Sequence, residues 1–361
     1  MKLNFSSEEY KEKARLSSGY GSTDTSITVA EAFMQLIKGV PKEDLSNLCE
    51  KIQYKLKGEG ELTLEACYNI TQGNIEGIDE LISMLNGKTA AEYVLELAYE
   101  CLDNPLRDEK TQEEIRGCHL GEKRTKDGKF VSSSWISHSL YEARVAQHLA
   151  QKVGLDSRKA GVMALLHDYG RKPTEINKNG THDFTHVIKG FEMLTDLGWE
   201  AEARACLTHS FINAGRCANC DSAEPGFYID EKGEPAWEAN AELDDVTEVL
   251  SGMQYDEYDI ILNIADLMAT DKGITTPYDR VLDVATRKTP DPKNRAYFLS
   301  EFTNELLEVM QSSAQRSNSL MSIEEADKRL KKVSSIFYKF LYPEKDIETT
   351  TERTKSSLDE I

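Results

Sequence analysis

The chain has 361 residues, enough to bury a substantial core and, at ordinary domain sizes, to form one or two domains. With 63 acidic against 43 basic side chains its formal charge is −20, which repels phosphate polymers and anionic membranes, so no nucleic-acid polymer or membrane is expected as a partner. Neither the opening MKLNFSSEEYKEKARL nor any later stretch has the apolar run of a signal peptide or of a roughly 20-residue spanning helix, and seven scattered cysteines do not resemble a secreted disulfide framework, so a cytoplasmic protein with reduced thiols is expected.

Apolar residues recur at helical spacing almost throughout, which predicts an all-α fold. The first periodic segments are ITVAEAFMQLIKG, closed by Gly39, then DLSNLCEKIQYKL, opened by Pro41, and GIDELISMLNG. KTAAEYVLELAYECL follows, and the polar stretch NPLRDEKTQEE then predicts a boundary. Residues 1–112 read as a helical accessory region and 113–345 as the main domain. GEKRTKDGKF, 121–130, reads as a basic loop turning at Asp127 and Gly128. Helices are predicted over 138–154, 159–170, 186–198 and 200–211, then an irregular insertion over 213–240 with a short hairpin around DEKG. Helices resume near 243 and again over 291–314 and 323–341, and 346–361 reads as a polar tail.

Within these apolar helices stand four histidines and two aspartates: His138, His167, Asp168, His186, His209 and Asp266. Neutral imidazole nitrogen with carboxylate oxygen is a donor set that suits borderline and hard divalent metals. His167 and Asp168 interrupt the run GVMALL, and Asp266 follows DIILNIA, so each aspartate heads into the core. A buried carboxylate needs a partner, and metal coordination supplies one. Blander readings stand beside this: Asp168 paired with Arg171, Asp266 paired with Lys272 or capping a helix, and His138 as a first-turn residue after the SSS run.

The stretches ISHSLYEARVAQHLA, AGVMALLHDYGRK, HVIKGFEML, ACLTHSF and NIADLMATDKG, with intervals of 29, 18, 23 and 57 residues between successive candidates, resemble the HD-domain superfamily of metal-dependent phosphohydrolases over roughly 130–290. The resemblance implies an all-α helical bundle in which His138, His167, Asp168 and Asp266 hold one divalent metal. His186 and His209 complete a second, bridged by Asp168; members without these two middle histidines bind one metal, so their presence implies two. Mn, Fe, Mg, Co and Ni are the candidate ions. Asp168, His186 and His209 carry the catalytic assignment as well. His182 competes with His186, four residues on; the family pattern places a glycine four residues after its histidine, as HVIKG does, which leaves His182 nearer the substrate. His148 and His119 receive no role.

Such a centre implies hydrolysis of a small phosphate ester or anhydride, a nucleotide foremost, by a hydroxide bridging metals about 3.5–4 Å apart. The family lysine after HD-x-G is replaced here by Arg171, with Lys172 following, so either is a candidate for the substrate phosphate; Arg280, and less so Arg287, offer further guanidinium groups. The partner is then a small phosphorylated molecule, and a homo-oligomer is left open. An HD-fold di-iron oxygenase cleaving a C–C or C–P bond uses the same six ligands and is the alternative. Cys217 and Cys220 form a CxxC that is weak as half of a structural zinc site, since zinc needs four ligands.

Overall fold

The computed structural model describes residues 5–17, 27–40, 69, 87–102, 123–124, 130–131, 135–172, 185–213, 216–217, 227–229, 235–237, 248–250, 253, 256–271 and 273–274. The helices expected at 44–56, 291–314 and 323–341, the body of the one at 77–87, the boundary near 112 and the tail at 346–361 lie outside these residues. The described part is helical, as the periodicity predicts. Its helices are α1 (Glu8–Leu16), α2 (Val29–Ile37), α3 (Ala90–Leu102), α4 (Trp135–Val153), α5 (Ser157–Leu166), α6 (Thr185–Asp196), α7 (Glu200–Thr208) and α8 (Glu257–Met268), with a 3-10 turn at Tyr169–Arg171.

Local chemistry sets the helix ends. Thr28 and Glu31 form a capping box at the start of α2, and Gly39, at φ 81°, stops the chain just beyond it where an L side chain would be strained. Asp156 opens α5 by accepting from the backbone N–H groups of Arg158 and Lys159. Residues 248–250 are helical, close to where helices are expected to resume, and α8 opens anew after Asp256, whose capping box with Asp259 starts it. Helix α1 was not expected, because its composition is polar: Ser7 caps it, Glu8 and Glu9 occupy its first turn, Lys13 and Arg15 its last, and Ala14 is its one buried residue.

Three two-stranded antiparallel hairpins accompany the helices: β1 (Lys123–Arg124) with β2 (Phe130–Val131), β3 (Phe211–Asn213) with β4 (Arg216–Cys217), and β5 (Phe227–Ile229) with β6 (Pro235–Trp237). The last pairs the strands on either side of DEKG, where a short hairpin is expected, with Ile229 opposite Pro235. The first pairs the two sides of the basic loop, and α7 ends at Thr208, short of the 211 expected, with β3 starting at Phe211.

Helix α4 lies along α5, α8 crosses both, and α6 pairs with α7, which also meets α5. Ile136, Leu140, Ala143 and Leu149 of α4, Val162, Leu165 and Leu166 of α5 and Ile261 and Leu262 of α8 are fully buried between them. The same core takes in Phe33, Leu36 and Ile37 of α2, which packs on α5, and Phe5, whose ring meets Phe191 of α6 edge-on at 5.9 Å. Each such side chain contributes about 1.5–3 kcal/mol by leaving water, so α1 and α2 are stabilised by the helices of the second half of the chain. No helix among the described residues is long and apolar enough to cross a membrane.

Candidate metal centre

Helix ends deliver most of the candidate side chains to one place. His138 lies in the first turn of α4, and Glu142 sits one turn later on the same face. His167 caps the C-terminus of α5, Asp168 follows at φ −96°, ψ 13°, and the chain then tightens into the 3-10 turn. His186 is in the first turn of α6, His209 caps the end of α7, and Asp266 stands in the last turn of α8. Terminal placement lets these polar groups reach inward while the apolar bodies of the helices fill the core.

All six residues singled out from the sequence converge. His138 Nε2 is 2.9 Å from Asp266 Oδ1. His167 Nε2 is 3.3 Å from Asp168 Oδ2, and Asp168 Oδ1 faces His186 Nε2 at 3.2 Å and His209 Nε2 at 3.6 Å. The His167 and His209 rings stand 4.7 Å apart, centre to centre. Ligand-capable atoms of His138, Glu142, His167 and Asp266 all lie within 4.8 Å of one another, and so do those of His167, Asp168 and His209. Glu142 escaped the sequence reading. Its signal was an acidic residue at i+4 from the first histidine in an apolar helix, a spacing that shares a face.

Two close glycines draw α6 against the 3-10 turn. A Cβ on Gly170 would sit 1.9 Å from the His186 carbonyl oxygen, and one on Gly190 would sit 3.0 Å from the Gly170 nitrogen and 2.7 Å from Cys206 Sγ. Bare backbone at both positions is what lets Asp168 meet His186. The glycine four residues after His186 thus has a steric reason.

The electrostatics of the ligand-free site are those of crowded charge. Burial pushes Glu142 up to about 8 despite the neighbouring His167. Burial works against charge on His167 too, but Glu142 and Asp168 outweigh it and hold the imidazole well above its ordinary value. Asp168 is kept well below the usual carboxylate range, burial being overcome by Arg171 and His167. Burial lowers His209 to about 3, reinforced by the charge of His167, so its ring is neutral. Asp266, though buried, is brought to about 2 by the hydrogen bond from His138.

Ring orientation identifies the free lone pairs. His167 Nδ1 is 2.6 Å from the Ala164 carbonyl, and His209 Nδ1 is 3.0 Å from that of Cys206. A carbonyl only accepts, so both Nδ1 atoms donate; neutral His209 turns its Nε2 lone pair toward the Asp168 carboxylate, and His167 Nε2, facing the same carboxylate, would offer one once a metal displaced its proton. Lone pairs facing a carboxylate require a cation between them, and backbone-anchored Nδ1–H is how metal-bound histidines are commonly oriented. Both Glu142 oxygens and Asp168 Oδ1 are buried without a hydrogen-bond partner among the described residues. The residues present therefore fit a divalent metal.

The flanking cations divide. Arg171 Nε lies 2.5 Å from Asp168 Oδ2, so the salt-bridge reading of Asp168 and the site reading hold together. Lys172 turns the other way: its ammonium donates to the carbonyls of Gln35, at 3.1 Å, and Lys38, capping the end of α2, and burial lowers it to about 8. Beside it, Gln35 Nε2 donates to the Tyr169 hydroxyl at 2.8 Å. His148 is half-buried on α4 and belongs to neither ligand group. His119, His182, Cys220, Lys272, Arg280 and Arg287 lie outside the described residues, and Cys217 is described only as part of β4.

Residues 135–271 match the family model of the HD domain, a span that contains all six converging residues. No curated protein and no solved structure matches the chain.

Proposed function

Because residues 135–271 form an HD domain, of the superfamily of metal-dependent phosphohydrolases, we propose that the chain hydrolyses a phosphate ester or anhydride of a small molecule, a nucleotide foremost, at a centre of two divalent metals. The observation that carries this reading is the position of Asp168: one oxygen faces His167 and the other faces His186 and His209, as a carboxylate shared between two ions would. His138, His167 and Asp266 would hold one ion with it, and His186 and His209 the other. Mn, Fe, Mg, Co and Ni all accept such a nitrogen and oxygen set. Bound metal supplies Lewis acidity and a water acidic enough to attack at neutral pH.

The chain's own residues do the rest. Backbone carbonyls fix the tautomers of His167 and His209, and Arg171 orients Asp168 while carrying positive charge beside the site for a substrate phosphoryl oxygen. Lys172, tied to α2, positions the turn after Asp168 instead of reaching substrate. The net charge of −20 selects against phosphate polymers.

The test is metal analysis of the purified chain with a phosphate-release screen over nucleotides and sugar phosphates. His167→Ala and Asp168→Ala should lose both bound metal and phosphate release. Retention of both would sink the reading, and turnover that demands dioxygen and iron would replace it with an oxygenase.

A further inference from the structure

Glu142 is the one fully buried carboxylate at the centre for which neither the HD ligand pattern nor the proposed chemistry has a use. Its Oε2 lies 2.9 Å from His167 Nδ1 and 3.6 Å from His138 Nε2, and His138 Nε2 is in turn 2.9 Å from Asp266 Oδ1. The same Nδ1 lies 2.6 Å from the Ala164 carbonyl, so the backbone orients this ring as well. The side chain is 0% exposed, and its carboxylate shares a cluster within 4.8 Å with the donor atoms of His138, His167 and Asp266. Ionised, a carboxylate so buried costs several kcal/mol unless a cation answers it.

We propose that Glu142 is an additional ligand to the metal on the His138 side of the centre, and that it makes this position selective for oxygen-preferring ions such as Mn2+ over Zn2+. The proposal rests on the metal-centre reading above. With Asp168 and Asp266, Glu142 brings three carboxylates to two imidazoles at this position. Such an oxygen-rich set suits hard ions of higher coordination number, whereas zinc favours four ligands rich in nitrogen and sulfur.

The experiment compares the full chain with Glu142→Gln, which preserves shape and removes charge, after chelation and retitration with Mn2+ or Zn2+, reading stoichiometry and Kd by calorimetry and metal content by mass spectrometry. Mn2+ affinity at one site should fall about tenfold or more while Zn2+ affinity falls markedly less. Equal weakening for both ions would mean that Glu142 only positions a ligand, and unchanged affinities would mean that it plays no part; either overturns the proposal. If Glu142→Gln does not fold, Glu142→Asp, which keeps the charge but shortens its reach, is read the same way. His138→Ala separates the two readings: if it too binds both ions like the parent, the metal centre itself is wrong, whereas loss of metal there with an unaffected Glu142→Gln refutes the Glu142 assignment alone.

Discussion

Helices α7 and α8 each contribute to two buried polar clusters, and the two clusters are built on opposite terms. In the first, Arg204 of α7 forks onto Asp259 of α8, Nε reaching its oxygens at 3.1 and 3.2 Å and Nη2 reaching Oδ2 at 2.5 Å. Asp259 also accepts from Thr208 Oγ1 and the Asp256 backbone, each at 2.8 Å, Asn263 Nδ2 donates to the Thr208 and Asp259 carbonyls, and Arg204 Nη1 ties in the Ser17 carbonyl just past α1. Among the described residues, Asn263 Oδ1 is the one atom of this cluster without a hydrogen-bond partner. In the second cluster, His209 and Asp266 of the same two helices face buried carboxylate oxygens that protein hydrogen bonds do not answer. A saturated cluster closes a structure, whereas an unsaturated one is a place for something else to bind.

Breaking each cluster should therefore have a different consequence. The largest effect is expected from Gly170→Ala, which would force the new methyl group into the His186 carbonyl with no flexible side chain to yield. The turn and α6 must separate, so urea denaturation should show a loss above about 4 kcal/mol, accompanied by loss of metal. Arg204→Met strips the buried Asp259 of its countercharge and should cost about 3–5 kcal/mol in the same measurement. Metal bound per folded molecule should be unchanged in that variant, because Arg204 touches none of the centre. Chelation should act only on the unsaturated cluster: with metal at 100 times its Kd, removal should lower stability by about 2.7 kcal/mol. That drop should vanish in Asp168→Ala and persist in Arg204→Met, and the reverse pattern would dissolve the distinction between the clusters.

The smallest effect concerns the docking of α1. The Tyr10 hydroxyl donates to Asp196 of α6, and this bond, with burial and nearby carboxylates adding to it, pushes the phenol up to about 12. A raised phenol means that the folded state favours the protonated form. Its stabilisation is then fully present below the ordinary value near 10 and is lost as pH rises through 12. Tyr10→Phe should lower stability by less than about 1 kcal/mol at pH 9, since the bond is solvent-exposed, and the gap to the parent should close as pH approaches 12 in matched thermal melts.

Particular residues show where sequence reasoning reached and where it stopped. His167 and Asp168 could be placed at a helix end because they interrupt an apolar run, and they lie at the end of α5. Glu142 was missed because an acid within a periodic helix normally marks its solvated face, and only the arrival of His167 and Asp266 from other helices turns that face inward. Lys172 looked like a phosphate ligand from its place after the HD pair, but its partners are carbonyls of α2, more than 130 residues earlier.

The sequence by itself determined that the described part is helical, because hydrophobic period is a property of each segment alone, while the resemblance to the HD pattern singled out the six histidines and aspartates that come together. It also carried the glycine that distinguishes His186 from its neighbour, though not the reason for it. The tertiary structure decided which oxygens among the described residues remain unanswered, that Gly170 and Gly190 must be bare for two backbones to touch, that Glu142 joins the centre, and that α1 and α2 share one core with the helices of residues 135–271. Each of these depends on groups delivered by separate elements, and no local pattern along the chain records how such groups meet.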